Sequence, residues 1–564
     1  MDEFFGDSSM EFKRLTDTLS VSPQITVADM PAIRAAGYRA IICNRPDGEG
    51  ADQPTFAEIE AAALEYGIAA HYLPIESGAI RDDHYVAFAD LTQKLGKPVL
   101  AYCRTGMRSA TLWGLSKASS TPLPEILSVA QLAGYDLRGM TRRIVNGGKA
   151  PLQVSTASHD IVIVGAGAAG LATAASLLAR DKLLDIAVID PADTHYYQPG
   201  WTMVGGGIFQ PQTTARQMAA VLPRNVHWIK AGVAAFEPDD HAVILEGCRV
   251  VKYQRLIVCP GLKLDWGAIA GLPETLGRNG VTSNYRYDLA PYTWSLVRNM
   301  KQGRALFTQP AMPIKCAGAP QKAMYLSSDH WLRTGRLQDI DVQMYNAGAV
   351  LFGVADYVPA LMEHVERYNI DLNFGYNLAQ IDGPNKRATF RRALQDGTFE
   401  SITREFDMIH VVPPQKAPDF IRVSPLADQT GWVDVDPSTL RHKTFPDVFA
   451  LGDVINAPNA KTAAAARKQA PVVAHNVLAS LGKAQGLAAY DGYGSCPLTV
   501  ARGKIVLAEF LYGGKLAPSF PEWLIDGKRP SRLAWLLKER ILPMVYWRAM
   551  LRGREWLAKP EIVG

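Results

Sequence analysis

Asp160-Ile161-Val162-Ile163-Val164-Gly165-Ala166-Gly167-Ala168-Ala169-Gly170 decides the fold. A β-branched apolar run, the composition of a buried strand, feeds straight into Gly-x-Gly-x-x-Gly, and an alanine-rich helix is expected over Leu171 to Arg180. Gly165 permits the tight turn. Gly167 removes the side chain that would block a pyrophosphate, and Gly170 lets helix and strand approach. The helix start then offers free N–H groups and a positive dipole end to phosphates. A second strand, Ile186 to Ile189, ends in Asp190, placed to accept hydrogen bonds from a ribose. Strand, glycines, helix and acid in this order predict an α/β dinucleotide-binding unit beginning near residue 159.

Working outward, the chain is long enough for several domains: 564 residues, 48% of them hydrophobic. A net charge of only +4 argues against a nucleic-acid protein. The six cysteines, Cys43, Cys103, Cys248, Cys259, Cys316 and Cys496, are scattered without a Cys-x-x-Cys pair, which fits neither a zinc site nor a disulfide scaffold, so no metal is expected. The first residues lack the basic and apolar regions of a signal peptide. No apolar run of about 18 residues predicts a transmembrane helix.

Residues 1–148 read as a separate α/β domain. Its third strand, Pro98 to Tyr102, delivers Cys103 into Cys103-Arg104-Thr105-Gly106-Met107-Arg108-Ser109, with a helix from Ala110. Backbone N–H groups at such a turn cradle an anion and favour the thiolate. Arg108 is expected to fork onto that anion. The loop resembles the active-site loops of cysteine phosphatases and rhodaneses, and the domain resembles the phosphatase-like domain beside metallo-β-lactamase-type hydrolases. Four residues separate Cys103 from Arg108 where phosphatases have five. The tighter ring suits a persulfide sulfur, so sulfur transfer is favoured over phosphate hydrolysis. Glu76 stands where a phosphatase would keep its general acid, although a solvated turn residue is the favoured reading. Residues 149–158 are small and polar, the composition of a linker.

Thr194 to Gly207 mixes aromatics with glycines and reads as a loop around a flat ring system. Far downstream, Thr444 to Ala450 leads into Leu451-Gly452-Asp453, which resembles the second flavin motif of disulfide-reductase-like flavoproteins. The resemblance implies FAD, with Asp453 on the ribityl chain. The following helix start, with Lys461 and Thr462, is expected to stabilise charge on a reduced flavin. Residues 159–300 and 410–480 are therefore assigned to an FAD-binding Rossmann-like fold. Residues 301–409 are assigned to a second such fold, whose strand Arg304 to Thr308 is followed by no glycine loop. Nicotinamide binding is read as lost.

In place of that loop stands Pro313-Ile314-Lys315-Cys316-Ala317-Gly318-Ala319-Pro320-Gln321-Lys322. Lys315 and the helix start are expected to depress the Cys316 pKa. This segment, with Tyr197-Gln198-Pro199, Gly431 to Asp436 and Tyr490-Asp491-Gly492-Tyr493, resembles sulfide:quinone oxidoreductases of the mitochondrial-like class over about residues 158–555. The resemblance implies oxidation of sulfide through Cys316 and FAD to a membrane quinone. It also implies a second redox cysteine directly after Gly-Asp, where this chain has Val454. Another thiol must then resolve Cys316: Cys496, read mainly as structural; a small-molecule thiol; or Cys103 as sulfane-sulfur acceptor.

Residues 481–564 change character. From Lys528 to Lys559 basic residues dominate, and Leu533 to Leu537 and Ile541 to Trp547 are short, apolar and flanked by charge. They read as two amphipathic helices making peripheral contact with a membrane, assigned to the cytoplasmic face; a helical cap or a homo-oligomer interface is the alternative. The whole reads as a bifunctional sulfide:quinone oxidoreductase-like flavoprotein with a sulfurtransferase-like domain. The rivals are a phosphatase fused to another flavoprotein and a non-catalytic flavin-bound sulfide sensor.

Overall fold

A computed structural model describes residues 11–151 and 156–563. The readings made on the first residues and on residues 152–155 lie outside it.

The N-terminal domain is a five-stranded sheet of β1 (Lys13–Thr16), β2 (Leu19–Ser22), β3 (Ala40–Cys43), β4 (Ala69–Tyr72) and β5 (Val99–Tyr102), in the order β1-β2-β5-β3-β4. β2, β5, β3 and β4 run parallel. β5 is buried along its whole length, and helix α1 (Met107–Lys117) follows its loop, starting three residues earlier than the sequence suggested. Helix α2 is Leu123–Leu132.

β6 (Thr156–Val164) begins inside the stretch read as linker. The last four residues of β6 are buried on both faces, as in a parallel sheet covered by helices. Helix α3 (Ala168–Arg180) returns the chain to β7 (Ile186–Ile189). With β8 (Val226–Ile229), β9 (Val233–Glu237), β10 (Ala242–Leu245) and β11 (Val250–Val258), the sheet order is β8-β7-β6-β11-β10-β9. The late strand Val448–Ala450 pairs with β11 and brings its Gly-Asp turn beside the glycine loop.

The second sheet is β12 (Val281–Thr282), β13 (Gly303–Gln309), β14 (Ile340–Asn346), β15 (Asp371–Phe374) and β16 (Met408–His410), all parallel, in the order β12-β16-β13-β14-β15. β12 already belongs to this sheet, some twenty residues before the boundary read at residue 301. Helix α4 (Ala319–Arg333) follows β13 through the Cys316 loop. Helix α5 (Ala463–Ser480) packs beside α3.

The C-terminal region has two main parts. The hairpin of β17 (Gly494–Ala501) and β18 (Lys504–Phe510) packs Leu498, Val500, Val506 and Ala508 into the core of the second fold. Arg532–Arg548 is one continuous helical run with a π-helical turn over Leu537–Ile541, not two separate helices. Its inner face buries Ala534, Trp535, Lys538, Tyr546 and Trp547; its outer face exposes Leu533, Leu536, Ile541 and Met544. The N-terminal domain docks through its core onto Ala234, Ala235 and Val423, with Arg142 paired to Glu237.

Candidate active sites

The glycine loop has the geometry of a phosphate cradle. Gly165 has φ of 103°, and a Cβ there would stand 2.6 Å from the Cys259 carbonyl oxygen. A Cβ on Gly170 would lie 1.9 Å from the Gly165 oxygen. At Gly167 a Cβ meets nothing within 4 Å among the described residues, so the space over the helix start is open. No side chain among the described residues caps α3, which leaves its first N–H groups for a ligand. Asp190 accepts from the backbone N–H of Ala166 (2.7 Å) and Ala192 (2.8 Å), tying the second strand to the loop. Across from it Gly452 has φ of 80° and is followed by Asp453. Burial pushes the Asp453 carboxyl up, opposed by the charges of Lys461 and Lys315. Nearby, Trp201 Nε1 and Asn459 Oδ1 are buried without a partner among the described residues. A cradle open at Gly167, an uncapped helix and orphan polar atoms fit FAD.

Lys461 is placed differently from the expectation. Its ammonium donates to the carbonyls of Asp453 and Ile455, both at 2.8 Å, and sits 4.2 Å from the Trp432 ring centre. Burial pushes its pKa down to about 8. It therefore braces the turn that carries Asp453. Thr462 caps α5 by accepting from the Ala465 N–H. The Thr194–Gly207 stretch is a short strand followed by helix Trp201–Gly205 rather than an open loop.

Cys316 is partly buried and has φ of 82°, a left-handed conformation that a non-glycine residue rarely adopts. Such strain persists only where surrounding structure enforces it. Here a β-bridge from Lys315 to Lys461 pins the loop to the segment behind the Gly-Asp turn. The Cys316 sulfur stands 3.4 Å from Cys496 Sγ and 3.2 Å from the Lys322 ammonium. The Cys496 hydrogen bond, together with the Lys322 charge, lowers the Cys316 pKa well below a free thiol, against burial. Cys496 is pushed well up, because one proton is shared and the second thiol faces the first thiolate. Lys538, from the π-helical turn, completes the pocket; burial and the Lys322 charge bring it down to about 7.

Three expectations change here. Val454 is fully buried in the flavin-domain core and is not the counterpart of Cys316. Cys496, one of the expected resolving thiols though read mainly as structural, is the thiol beside Cys316, delivered by β17. The cation on the thiol is Lys322, one helical turn into α4. Lys315 instead donates to Gln198 Oε1 at 2.7 Å and faces the Trp201 and Tyr285 rings. Sequence spacing held a signal for Lys322, because the residue after Gln321 lies on the first turn of the helix. Nothing local pointed to Lys538.

In the N-terminal domain Cys103 is buried at the mouth of its loop and accepts the Gly106 N–H at 3.2 Å. Arg108 does not fork onto the loop. Its Nη2 is bidentate on Glu49, at 2.7 Å to each oxygen, and its Nη1 donates to the Ile75 carbonyl at 2.6 Å. Arg45 also holds Glu49, at 2.8 Å. Burial raises the Glu49 pKa, but the two arginines outweigh it and the net shift is downward. Tyr135 covers the loop instead, its hydroxyl 3.4 Å from the Thr105 carbonyl. Glu76 is solvent-exposed. Glu49 and Tyr135 were not singled out from sequence.

Comparisons with known proteins divide the chain in the same way. Residues 11–120 match the family described as beta-lactamase hydrolase-like protein, phosphatase-like domain. A beta-lactamase hydrolase-like protein of Agrobacterium fabrum is 30% identical over 135 residues, 24% of this chain and 31% of that one. The mitochondrial sulfide:quinone oxidoreductase of Dictyostelium discoideum is 40% identical over 405 residues, covering 71% of this chain and 87% of its own. The sulfide:quinone oxidoreductase structure from Aquifex aeolicus shares the fold, with a TM-score of 0.58 at 16% identity over 70% of this chain and 92% of that one. The chain belongs to the sulfide:quinone oxidoreductase family.

Proposed function

We propose that this protein oxidises sulfide through the Cys316–Cys496 pair and passes the electrons by way of FAD to a quinone. The observation that carries the reading is the 3.4 Å separation of the two sulfurs beside Lys322. Two S–S bonds of about 2.05 Å meeting at one central atom span about 3.3 Å, so the gap fits a single bridging sulfur. Hydrosulfide adds to the oxidised pair. One S–S bond of the sulfur-bridged pair breaks as the new one forms, leaving a persulfide on one cysteine and, on the other, a persulfide anion that keeps the bridging sulfur. Lys322 and Lys538 hold the negative charge released. An acceptor thiolate then takes the outer sulfur of the new persulfide and leaves that cysteine as a thiolate, and its two-electron oxidation against the remaining persulfide anion restores the sulfur bridge. FAD supplies the two-electron acceptor through which the pair is reoxidised and the quinone reduced.

Cys103 is the reading for a sulfane-sulfur carrier. The Gly106 N–H meets the sulfur, and its arginine is bound to Glu49, which suits a small sulfur species better than a phosphoryl group. The outer face of the 532–548 run, with Leu533 48% and Leu536 47% exposed, supports peripheral contact with the quinone-bearing membrane. No helix among the described residues is long and apolar enough to cross one.

The test is an anaerobic sulfide titration followed at the flavin band, with and without a soluble quinone. Bleaching in the wild type that is absent in Cys316→Ser and in Cys496→Ser supports the pair. Bleaching that survives Cys496→Ser removes Cys496 from it. Thiocyanate formation from thiosulfate and cyanide, lost in Cys103→Ser, tests the carrier. Hydrolysis of an aryl phosphate lost in Arg108→Ala favours the phosphatase reading.

A further inference from the structure

At the end of the flavin sheet opposite the glycine loop, three neighbouring strands bring together groups that the sulfur chemistry does not use. His159 lies on β6, Asp185 immediately precedes β7, and His227 lies on β8, the edge strand. His159 Nδ1 is 2.9 Å and 3.0 Å from the two Asp185 oxygens. His227 Nε2 is 3.6 Å from Asp185 Oδ1, and the two rings are 5.3 Å apart. One donor atom from each residue falls within 4.8 Å of the others.

We propose that His159, Asp185 and His227 form a divalent transition-metal site that staples the edge strand β8 to β6. Two imidazoles and one carboxylate are a donor set for zinc, nickel or copper(II), whereas magnesium and calcium take oxygen donors. In a tetrahedral zinc site with bonds of about 2.0 Å, donors stand about 3.3 Å apart. The pairs at 2.9 and 3.6 Å bracket that spacing. The remaining adjustment falls on the His227 side chain, which is 69% exposed and free to turn, while the parallel strands hold the other two in place. Three protein donors leave the fourth position to solvent, so the ion is exchangeable. An ion held by all three residues joins strands that hydrogen-bond only through β7, and it does so near the entry from the preceding domain.

The experiment is equilibrium dialysis of the flavin-loaded full chain against zinc chloride, with metal quantified per chain, alongside thermal unfolding. The Cys316–Cys496 pair offers zinc a second set of donors, so the readout is the difference between the wild type and a His159→Ala/His227→Ala variant. The expected result is one equivalent fewer in the variant, and a zinc-dependent rise in Tm that the variant lacks and magnesium does not reproduce. Equal zinc uptake by both proteins overturns the proposal. So does the absence of a zinc effect on the wild-type Tm. His227→Gln, on the exposed edge, guards against a folding defect, because it must lose the same equivalent while retaining flavin absorbance and quinone reduction.

Discussion

Cys316 and Cys103 both stand at strand-to-helix turns, yet their surroundings are opposite. Around Cys103 the loop cation is tied to a carboxylate, since Arg108 and Arg45 both hold Glu49, and the loop answers the sulfur with a backbone N–H. Around Cys316 the cation meets the sulfur itself, and a second thiol lies in contact. A turn at the end of a strand is thus only half of a thiol site. What distinguishes the two thiols is whether the nearby positive charge and a second sulfur are committed to the cysteine or to something else.

The largest expected effect separates the two cysteines. Cys316→Ser and Cys496→Ser each lower sulfide-dependent quinone reduction by about 10³-fold or more, as loss of a covalent group does. Cys103→Ser leaves it unchanged. Steady-state rates with a soluble quinone check this, and equal losses in all three variants would break the contrast.

Next comes the carboxylate that holds the arginines. Glu49→Gln leaves Arg108 buried without a counter-charge and destabilises the N-terminal domain by about 3 kcal/mol. The flavin band and sulfide bleaching stay as they were. Because the Glu49 pKa is lowered on folding, its contribution is present above the unfolded carboxyl value of about 4.3 and is lost as pH falls through the folded value. Thermal unfolding of the wild type and the variant should therefore converge in acid.

Smaller shifts sharpen the Cys316 side. Lys322→Met raises the Cys316 pKa, so alkylation by iodoacetamide at neutral pH slows and its pH profile moves upward, while Lys322→Arg keeps the profile near the wild type. Lys538 titrates at about 7, losing its charge as pH rises. The wild-type sulfide pH–rate profile is expected to bend near that pH, and in Lys538→Met the bend disappears with only a several-fold change in the maximal rate.

Much of this was legible in the sequence because it is local. The glycine loop, Asp190 and Gly452-Asp453 are strand-end motifs, and the residues that position them are their own neighbours. Cys103 and Cys316 were visible for the same reason. Cys496 was not assigned its place, because its contact with Cys316 is made by a hairpin 180 residues further on that packs against α4. Lys315 and Lys322 are both near Cys316 in sequence, and only the direction of α4 decides which ammonium meets the sulfur. Glu49 reaches Arg108 across 59 residues from a loop with no motif of its own. His159, Asp185 and His227 share a strand end and nothing in their spacing.

The helical run at 532–548 shows leucines to the outside and an ammonium to the inside of the same few turns. The tail is therefore part of the wall around the Cys316–Cys496 pair. A chain cut before Ser531 would lose Lys538 from the sulfur pocket and Tyr546 from its 2.6 Å hydrogen bond with His195, behind the glycine loop. Trimming the tail to obtain a better-behaved protein would alter the chemistry along with any hold on a bilayer.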